Sequence, residues 1–344
     1  MYYYLYLSGE HRTLPEAEVR AIAEAESINL KRVIRLDQIL VLEADKGLID
    51  FIKVRAALTK VGGILIDVVD IGEGVDGIVK ALKDADQDLI NNVRAFRFSR
   101  VKEYGKGKIE FEHLRSILKE KLGLNALLRE GDSGVLDIIV SNAVILGIRM
   151  FRRNIKDFED RAPQRRPVYR PGTLPPLISR VFVNLSRVSI KGKSKLLDPF
   201  CGVAGFLLEA CVMGLDNYIG VDINEDYVRG ARINLEFYDC PPNVLSGDAC
   251  NLPLDLGRVD AIATDPPYGR LTRAEGRTLK ELMVCFLEEA GKVLRKGSYV
   301  VFAQKKGVIG EDEIEDLGPF KVVEKHINWV HGSLTRDVYV VKRI

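Results

Sequence analysis

The sequence predicts an α/β chain in two parts. A doubly wound, mostly parallel sheet fills the second half, and a mixed α+β region precedes it. Three observations carry this reading. From Lys195 onward, strand-length apolar runs alternate with helix-length amphipathic runs, the βαβα rhythm of a sheet covered on both faces. Four successive strand-like runs there end at an acid: Asp198, Asp222, Asp248 and Asp265. Between the halves, Arg161–Pro175 (RAPQRRPVYRPGTLP) is rich in Pro and Arg and reads as an extended linker rather than a helix. The boundaries that follow are 1–155, a linker over 156–175, and 176–344.

The first part opens on a strand-like run, Tyr2–Leu7. Leu14–Glu26 has apolar residues at helical spacing, with Pro15 and Glu16 at its start, as helix N-termini favour. Lys31–Leu36 and Ile39–Glu43 read as the arms of a hairpin, Ile49–Leu58 as a helix and Gly63–Val69 as a strand. Strand-helix-strand-strand-helix-strand is the order of a ferredoxin-like module, here over about residues 1–70. A second module, over about 50–155, shows Ala95–Phe98, Glu112–Leu122 and Leu136–Ile139 as strand, helix and strand. The second half supplies strands at Lys195–Asp198, Tyr218–Asp222, Asn243–Gly247, Val259–Thr264 and Tyr299–Ala303. Its helices are Gly205–Met213, Glu225–Tyr238 and Thr278–Val293. Phe320–Ile327 and Leu334–Val341 close the sheet as an antiparallel hairpin.

Composition bounds the function. The chain has 344 residues, 47% of them apolar, and a net charge of only +2, so bulk charge announces no polyanion partner. Its five cysteines lie in the second half without a C-x-x-C pair, so neither a zinc site nor a disulfide framework is expected, and a reduced, cytoplasmic setting fits. No metal site is expected from the four histidines either. Met1–Leu7 lacks the basic start of a signal peptide, and the apolar run Val135–Ile148 is too short to span a bilayer. A soluble chain is expected.

The segment Asp265-Pro266-Pro267-Tyr268-Gly269 follows the strand-like run Val259–Thr264. Two prolines fix φ and push the residue before each into extended backbone, giving a stiff edge. Such an edge can aim the Asp265 carboxylate and the Pro266 carbonyl at one point, with the Tyr268 ring beside it. That suits a planar amine. The same residues also suit a plain turn.

Upstream, Asp198-Pro199-Phe200-Cys201-Gly202-Val203-Ala204-Gly205 joins a strand to a helix, the place where ligands settle in such sheets. Asp198 could face the positive end of a ligand, and Gly202 and Gly205 allow close approach to the backbone. Asp222, followed by Ile223, stands where a carboxylate holds ribose hydroxyls. Asp248, followed by Ala249, could accept from an adenine amino group. The set describes an adenosine pocket. A dinucleotide dehydrogenase shares part of this logic, but the glycines follow G-x-x-G rather than G-x-G-x-x-G, and a nicotinamide needs no D-P-P-Y.

The ordered motifs D-P-F-C-G-x-x-G, G-V-D, G-D-A and D-P-P-Y-G resemble those of class I RNA guanine-N2 methyltransferases over about residues 170–344. Val203-Ala204-Gly205 departs from the family's usual Thr-Gly-Gly. Arg170–Leu174, with Thr173, is similar to the segment that caps the cofactor pocket, and His331–Arg336 is similar to the final hairpin. The region ahead of the linker resembles a THUMP domain, an RNA-binding module. The whole order resembles the archaeal enzymes that methylate guanine 10 of tRNA. The resemblance implies a Rossmann-like fold, S-adenosylmethionine as cofactor and tRNA as partner. It also implies methyl transfer to N2 of a flipped guanine, with Asp265, Pro266, Pro267 and Tyr268 at the acceptor. Some relatives use a small zinc-containing activator subunit.

Local charge agrees. Residues 91–123 hold nine Lys/Arg against four acids, and residues 149–170 hold eight against three. The candidate phosphate contacts are Arg94, Arg97, Arg100, Lys102, Lys106, Arg152, Arg153, Arg165 and Arg166. A charge run can equally be a solvated face. Other readings are a different tRNA or ribosomal guanine, a DNA or glutamine amino-methyltransferase, and a non-catalytic RNA-binding subunit.

Overall fold

The computed structural model describes residues 1–126, 134–255, 257–267, 277–331 and 334–344, without the side chains of 329–331 and 334. The chain divides into two compact units. One is Met1–Glu16 with Ile28–Val54 and Leu58–Arg153; the other is Ala17–Ser27 with Arg55–Ala57 and Asn154–Ile344.

The first unit is built on one eight-stranded sheet of β1 (Tyr2–Leu7), β2 (Leu30–Leu36), β3 (Ile39–Ala44), β4 (Thr59–Val69), β5 (Ala95–Arg100), β6 (Asn125–Ala126), β7 (Val135–Val140) and β8 (Val144–Arg152), in the order β2-β3-β1-β4-β8-β7-β5-β6. The first four strands keep the ferredoxin-like succession and order. What the sequence does not announce is that β4 pairs with β8, so both modules share one continuous sheet. The seam is tight: a Cβ on Gly63 would lie 1.9 Å from the Ile148 carbonyl oxygen, so only glycine fits there. The apolar run from Val135 is two strands turning at Ser141-Asn142, with β7 antiparallel to β8. Helices Gly74–Asp84 and Phe111–Leu122 cover Phe96, Leu136, Ile138 and Leu146.

The second unit carries seven strands: β9 (Leu196–Asp198), β10 (Tyr218–Asp222), β11 (Val244–Ser246), β12 (Val259–Thr264), β13 (Leu294–Lys305), β14 (Phe320–His331) and β15 (Leu334–Arg343). Their order is β11-β10-β9-β12-β13-β15-β14, with β9 to β13 parallel and β15 antiparallel to both neighbours. The chain leaves β9 toward one edge and returns through β12 toward the other, so the crevice at the carboxyl ends of β9 and β12 is the topological switch point. The core beneath it packs Leu197, Ile262, Phe286, Val300, Phe302 and Tyr339. Helix Leu279–Val293 starts at a capping box of Thr278 and Glu281, which satisfies two otherwise orphaned N–H groups.

Two disulfides correct the cysteine expectation: Cys211–Cys240 and Cys250–Cys285. Sequence separations of 29 and 35 residues carry no local signal. The first joins the end of helix Gly205–Val212 to the chain after helix Glu225–Phe237. The second joins the loop after Asp248 to helix Leu279–Val293. Cys201 is free and buried. No helix among the described residues is long and apolar enough to cross a membrane.

Candidate active site

Three of the strand-end acids, Asp198, Asp222 and Asp248, accept from backbone N–H groups near them. Asp198 ends β9 and is fully buried. It accepts from the Phe200 N–H at 3.3 Å, within its own loop, and from the Thr264 hydroxyl at 2.7 Å. Thr264 is the last residue of β12, so this bond ties the two strands across the switch point, and Asp265 is the next residue. Burial, with Asp222 and Asp265 nearby, pushes the Asp198 carboxyl up to about 8.

Asp222 ends β10. Its Oδ2 accepts from the Gly202 N–H at 2.8 Å and its Oδ1 from the Asn224 N–H at 2.9 Å, and burial raises its pKa. Gly202 has φ +51, and a Cβ there would meet nothing within 4 Å, which leaves open space above the loop. Ala204 follows with φ 69 and ψ 37 at the N-cap of helix Gly205–Val212. Ile223 is an exposed apolar side chain beside Asp222, while Pro199 and Ala249 are buried. Asp248 accepts from the Cys250 N–H at 2.9 Å and pairs with Arg277 at 3.0 Å. Arg277 escaped the sequence reading, because its position beside Asp248 depends on a chain return 29 residues on.

Thr173 sits over the same loop. Its methyl would be 3.7 Å from a Cβ on Gly205, and its hydroxyl donates to the Arg170 carbonyl at 2.8 Å. Arg166 approaches the same point at 3.6 Å and is only 5% exposed. Its Nε donates to the Arg161 carbonyl at 2.9 Å, and both terminal nitrogens lack a hydrogen-bond partner. That burial corrects its place among the surface phosphate contacts: the side chain turns inward. Arg94, Arg97, Lys102, Lys106, Arg152 and Arg165 are exposed, and Arg100 and Arg153 are half-buried. Lys102 pairs with Asp37, Lys106 with Glu103 and Arg165 with Asp160, while Arg100 donates to the Ile109 carbonyl.

Beyond β12, Pro266 and Pro267 wall a narrow hollow with Leu279, Met283, Gln304 and Lys305. Asp265 is half-buried and accepts from Arg336 Nη1 at 3.2 Å. Tyr268 and the side chain of His331 lie outside the described residues.

Residues 163–337 match UPF0020, the RMKL-like methyltransferase domain. The chain belongs to this methyltransferase family. It is 31% identical over 345 residues to a tRNA (guanine(10)-N2)-dimethyltransferase of Methanothermobacter thermautotrophicus, covering 98% of each chain. It is 32% identical to the protein of the same name from Pyrococcus abyssi, covering 99% of each. Among solved structures it is similar to TrmN from Thermus thermophilus, with a TM-score of 0.56 and 16% identity over the whole of both chains. SMU.472 in complex with SAH gives a TM-score of 0.51 at 12% identity, covering 98% of this chain and 97% of that one. These two likenesses show the fold.

The methyltransferase takes S-adenosylmethionine as its cofactor, and the residues present fit that group. The buried Oδ2 of Asp198, unpartnered among the described residues, suits a cationic neighbour, and the open space over Gly202 suits close approach.

Proposed function

We propose that this methyltransferase methylates the exocyclic N2 of a guanine in tRNA, at guanine 10, first once and then a second time. The observation that carries this is the Thr264 hydroxyl on Asp198, with Asp265 next in sequence. That bond joins the ends of β9 and β12 at the switch point, which supports reading a cofactor edge and an acceptor edge side by side. Similarity over nearly the full length to two tRNA (guanine(10)-N2)-dimethyltransferases supports the substrate.

In this reading Asp222 holds the ribose, with Ile223 along one side, and Asp248 with Ala249 receives the adenine. Asp198, Pro199, Gly202 and Gly205 form the floor, and Thr173 lies over it. S-adenosylmethionine, when bound, supplies an electrophilic methyl on a sulfonium. An aromatic amine is a poor nucleophile, because its lone pair is conjugated into the ring. The Asp265 carboxylate and the Pro266 carbonyl accept its two hydrogens, orient the lone pair and favour the positive charge that develops on nitrogen. That nitrogen then sheds one proton, which needs no strong base. Pro267 keeps the edge rigid. Tyr268 stacks on the base once it has left its own stack, a contact worth roughly 1–3 kcal/mol. The exposed basic residues of 94–106 and 152–165 meet phosphates and position the RNA in the cytoplasm.

The test is methyl transfer from labelled S-adenosylmethionine to unmodified tRNA, with the modified nucleotide mapped by mass spectrometry. Label on N2 of guanine 10 is expected, and label confined to another nucleotide overturns the address. Asp265→Ala should lower turnover about a hundredfold or more while cofactor affinity holds. Unchanged turnover removes Asp265 from the acceptor site. Repeating the assay with a small zinc-containing activator subunit, as some relatives use, shows whether turnover rises.

A further inference from the structure

Arg336 stands near the start of β15, opposite Lys305 of β13. Because β15 runs antiparallel to β13, its beginning lies at the carboxyl ends of the parallel strands. The reversed strand therefore delivers a side chain near its start to the rim where the other strands deliver their ends. Arg336 reaches from there to Asp265, Nη1 to Oδ2 at 3.2 Å. The two side chains are 6% and 13% exposed, so water screens the pair weakly.

We infer that Arg336 is a positioning residue for methyl transfer, holding the Asp265 carboxylate ionised and fixed where the amine arrives. The inference rests on the reading of Asp265 as the amine acceptor. The rim is crowded with negative charge: Asp198 comes from β9 and Asp222 from β10, and Asp222 and Asp265 both push the Asp198 carboxyl up. Like charges at adjacent strand ends oppose ionisation of every member. Among the described residues Arg336 of β15 pairs with Asp265, and Lys305 lines the hollow beside Pro266 and Pro267. A protonated Asp265 has lost the charge that favours a developing positive nitrogen. A carboxylate fixed by a buried guanidinium keeps that charge and loses its rotational freedom.

Three variants in the full chain test this: Arg336→Met, Arg336→Lys and Asp265→Ala. The readouts are kcat on tRNA against pH and binding of S-adenosylhomocysteine by calorimetry. Arg336→Met should lower kcat about tenfold to a hundredfold. It should also move the acid limb of the profile to higher pH, with cofactor affinity within about twofold. Arg336→Lys should restore the position of the acid limb while recovering kcat only in part, since an ammonium replaces the charge but not the fork. A normal limb and normal kcat in Arg336→Met, alongside an inactive Asp265→Ala, overturn the inference and leave the acceptor reading standing. Normal turnover in Asp265→Ala overturns the acceptor reading, and the inference with it. Should Arg336→Met unfold, Arg336→Lys decides: a limb displaced from the wild-type position in a folded protein overturns the role of charge.

Discussion

Asp137 in the first unit and Asp198 in the second are both buried carboxylates, and their surroundings oppose each other. Asp137, on β7, is met by Arg149 of β8, whose Nε donates to Oδ2 at 2.9 Å and whose Nη2 donates to Oδ1. The Tyr4 hydroxyl donates to Oδ2 at 2.6 Å. Among the described residues Asp198 receives one hydroxyl and one N–H, its Oδ2 has no hydrogen-bond partner, and Asp222 and Asp265 lie near it. At Asp137 the matched cation makes the buried acid architecture: it orients β7 and β8 and asks for nothing further. A buried acid among acids disfavours the folded chain on its own, and it becomes favourable only when a cation settles beside it. The contrast sets the rim around Asp198 apart without reference to any motif.

The largest expected effect tests the architectural member. Asp137→Ala leaves Arg149 buried without its carboxylate, and removal of one partner of such a pair costs about 3–5 kcal/mol. Urea unfolding of the variant should show a loss of that size. A loss under about 1 kcal/mol would mean that Asp137 is no more structural than Asp198, and the contrast would collapse.

The next effect has the opposite sign. Asp198 has its ordinary value of 3.8 raised to about 8 in the folded chain, chiefly by burial. A carboxyl raised on folding contributes stability that is fully present below its unfolded value and is lost as pH rises through the folded one. The cofactor-free protein should therefore lose stability between about pH 4 and pH 8 on account of this group. Asp198→Asn keeps the acceptor for Thr264 and Phe200 but never ionises. It should be clearly more stable than the parent at pH 8, with little difference at pH 4. It should also bind S-adenosylmethionine more weakly, because the anionic partner is gone. Equal melting temperatures for parent and variant at both pH values would show that the burial of Asp198 carries no cost.

The two kinds of acid also differ in how far the sequence reveals them. Asp198, Asp222 and Asp265 are legible because each closes an apolar run, and strand, loop and acid are neighbours in the chain. Asp137 hides inside such a run, because its partner Arg149 becomes its neighbour only when β7 and β8 fold back at Ser141-Asn142. Arg336 and Arg277 stay hidden for the same reason. Their partners lie 71 and 29 residues away, and only the strand order or the return of the chain joins them. The cysteine pairs behave alike. Helix Gly74–Asp84 is a different case. Val75, Ile78, Val79 and Leu82 are spaced for one buried face, so the signal was present in the pattern. The continuity of the first sheet across β4 and β8 left only the glycine at Gly63 as a trace.

Strain separates the units as well as charge, and one substitution measures it at the rim. Among the described residues of the first unit the left-handed non-glycine residues are Gln38, between β2 and β3, and Lys102, after β5; both stand on turns, where such backbone is common. Ala204 is left-handed, fully buried and placed at the N-cap of helix Gly205–Val212. Its N–H reaches the Cys201 carbonyl at 2.8 Å, so the loop holds it there. An L-residue in this conformation costs about 1–2 kcal/mol, which glycine avoids. Glycine in turn widens the unfolded ensemble, which opposes the gain by about 0.4–1 kcal/mol. Ala204→Gly should therefore stabilise the chain by about 0.5 kcal/mol, read from urea unfolding, with cofactor affinity equal or tighter. A loss beyond about 1 kcal/mol would mean that the Ala204 methyl packs more favourably than its backbone is strained. The rim would then be distinguished from the first unit by the surroundings of Asp198 and not by its strain.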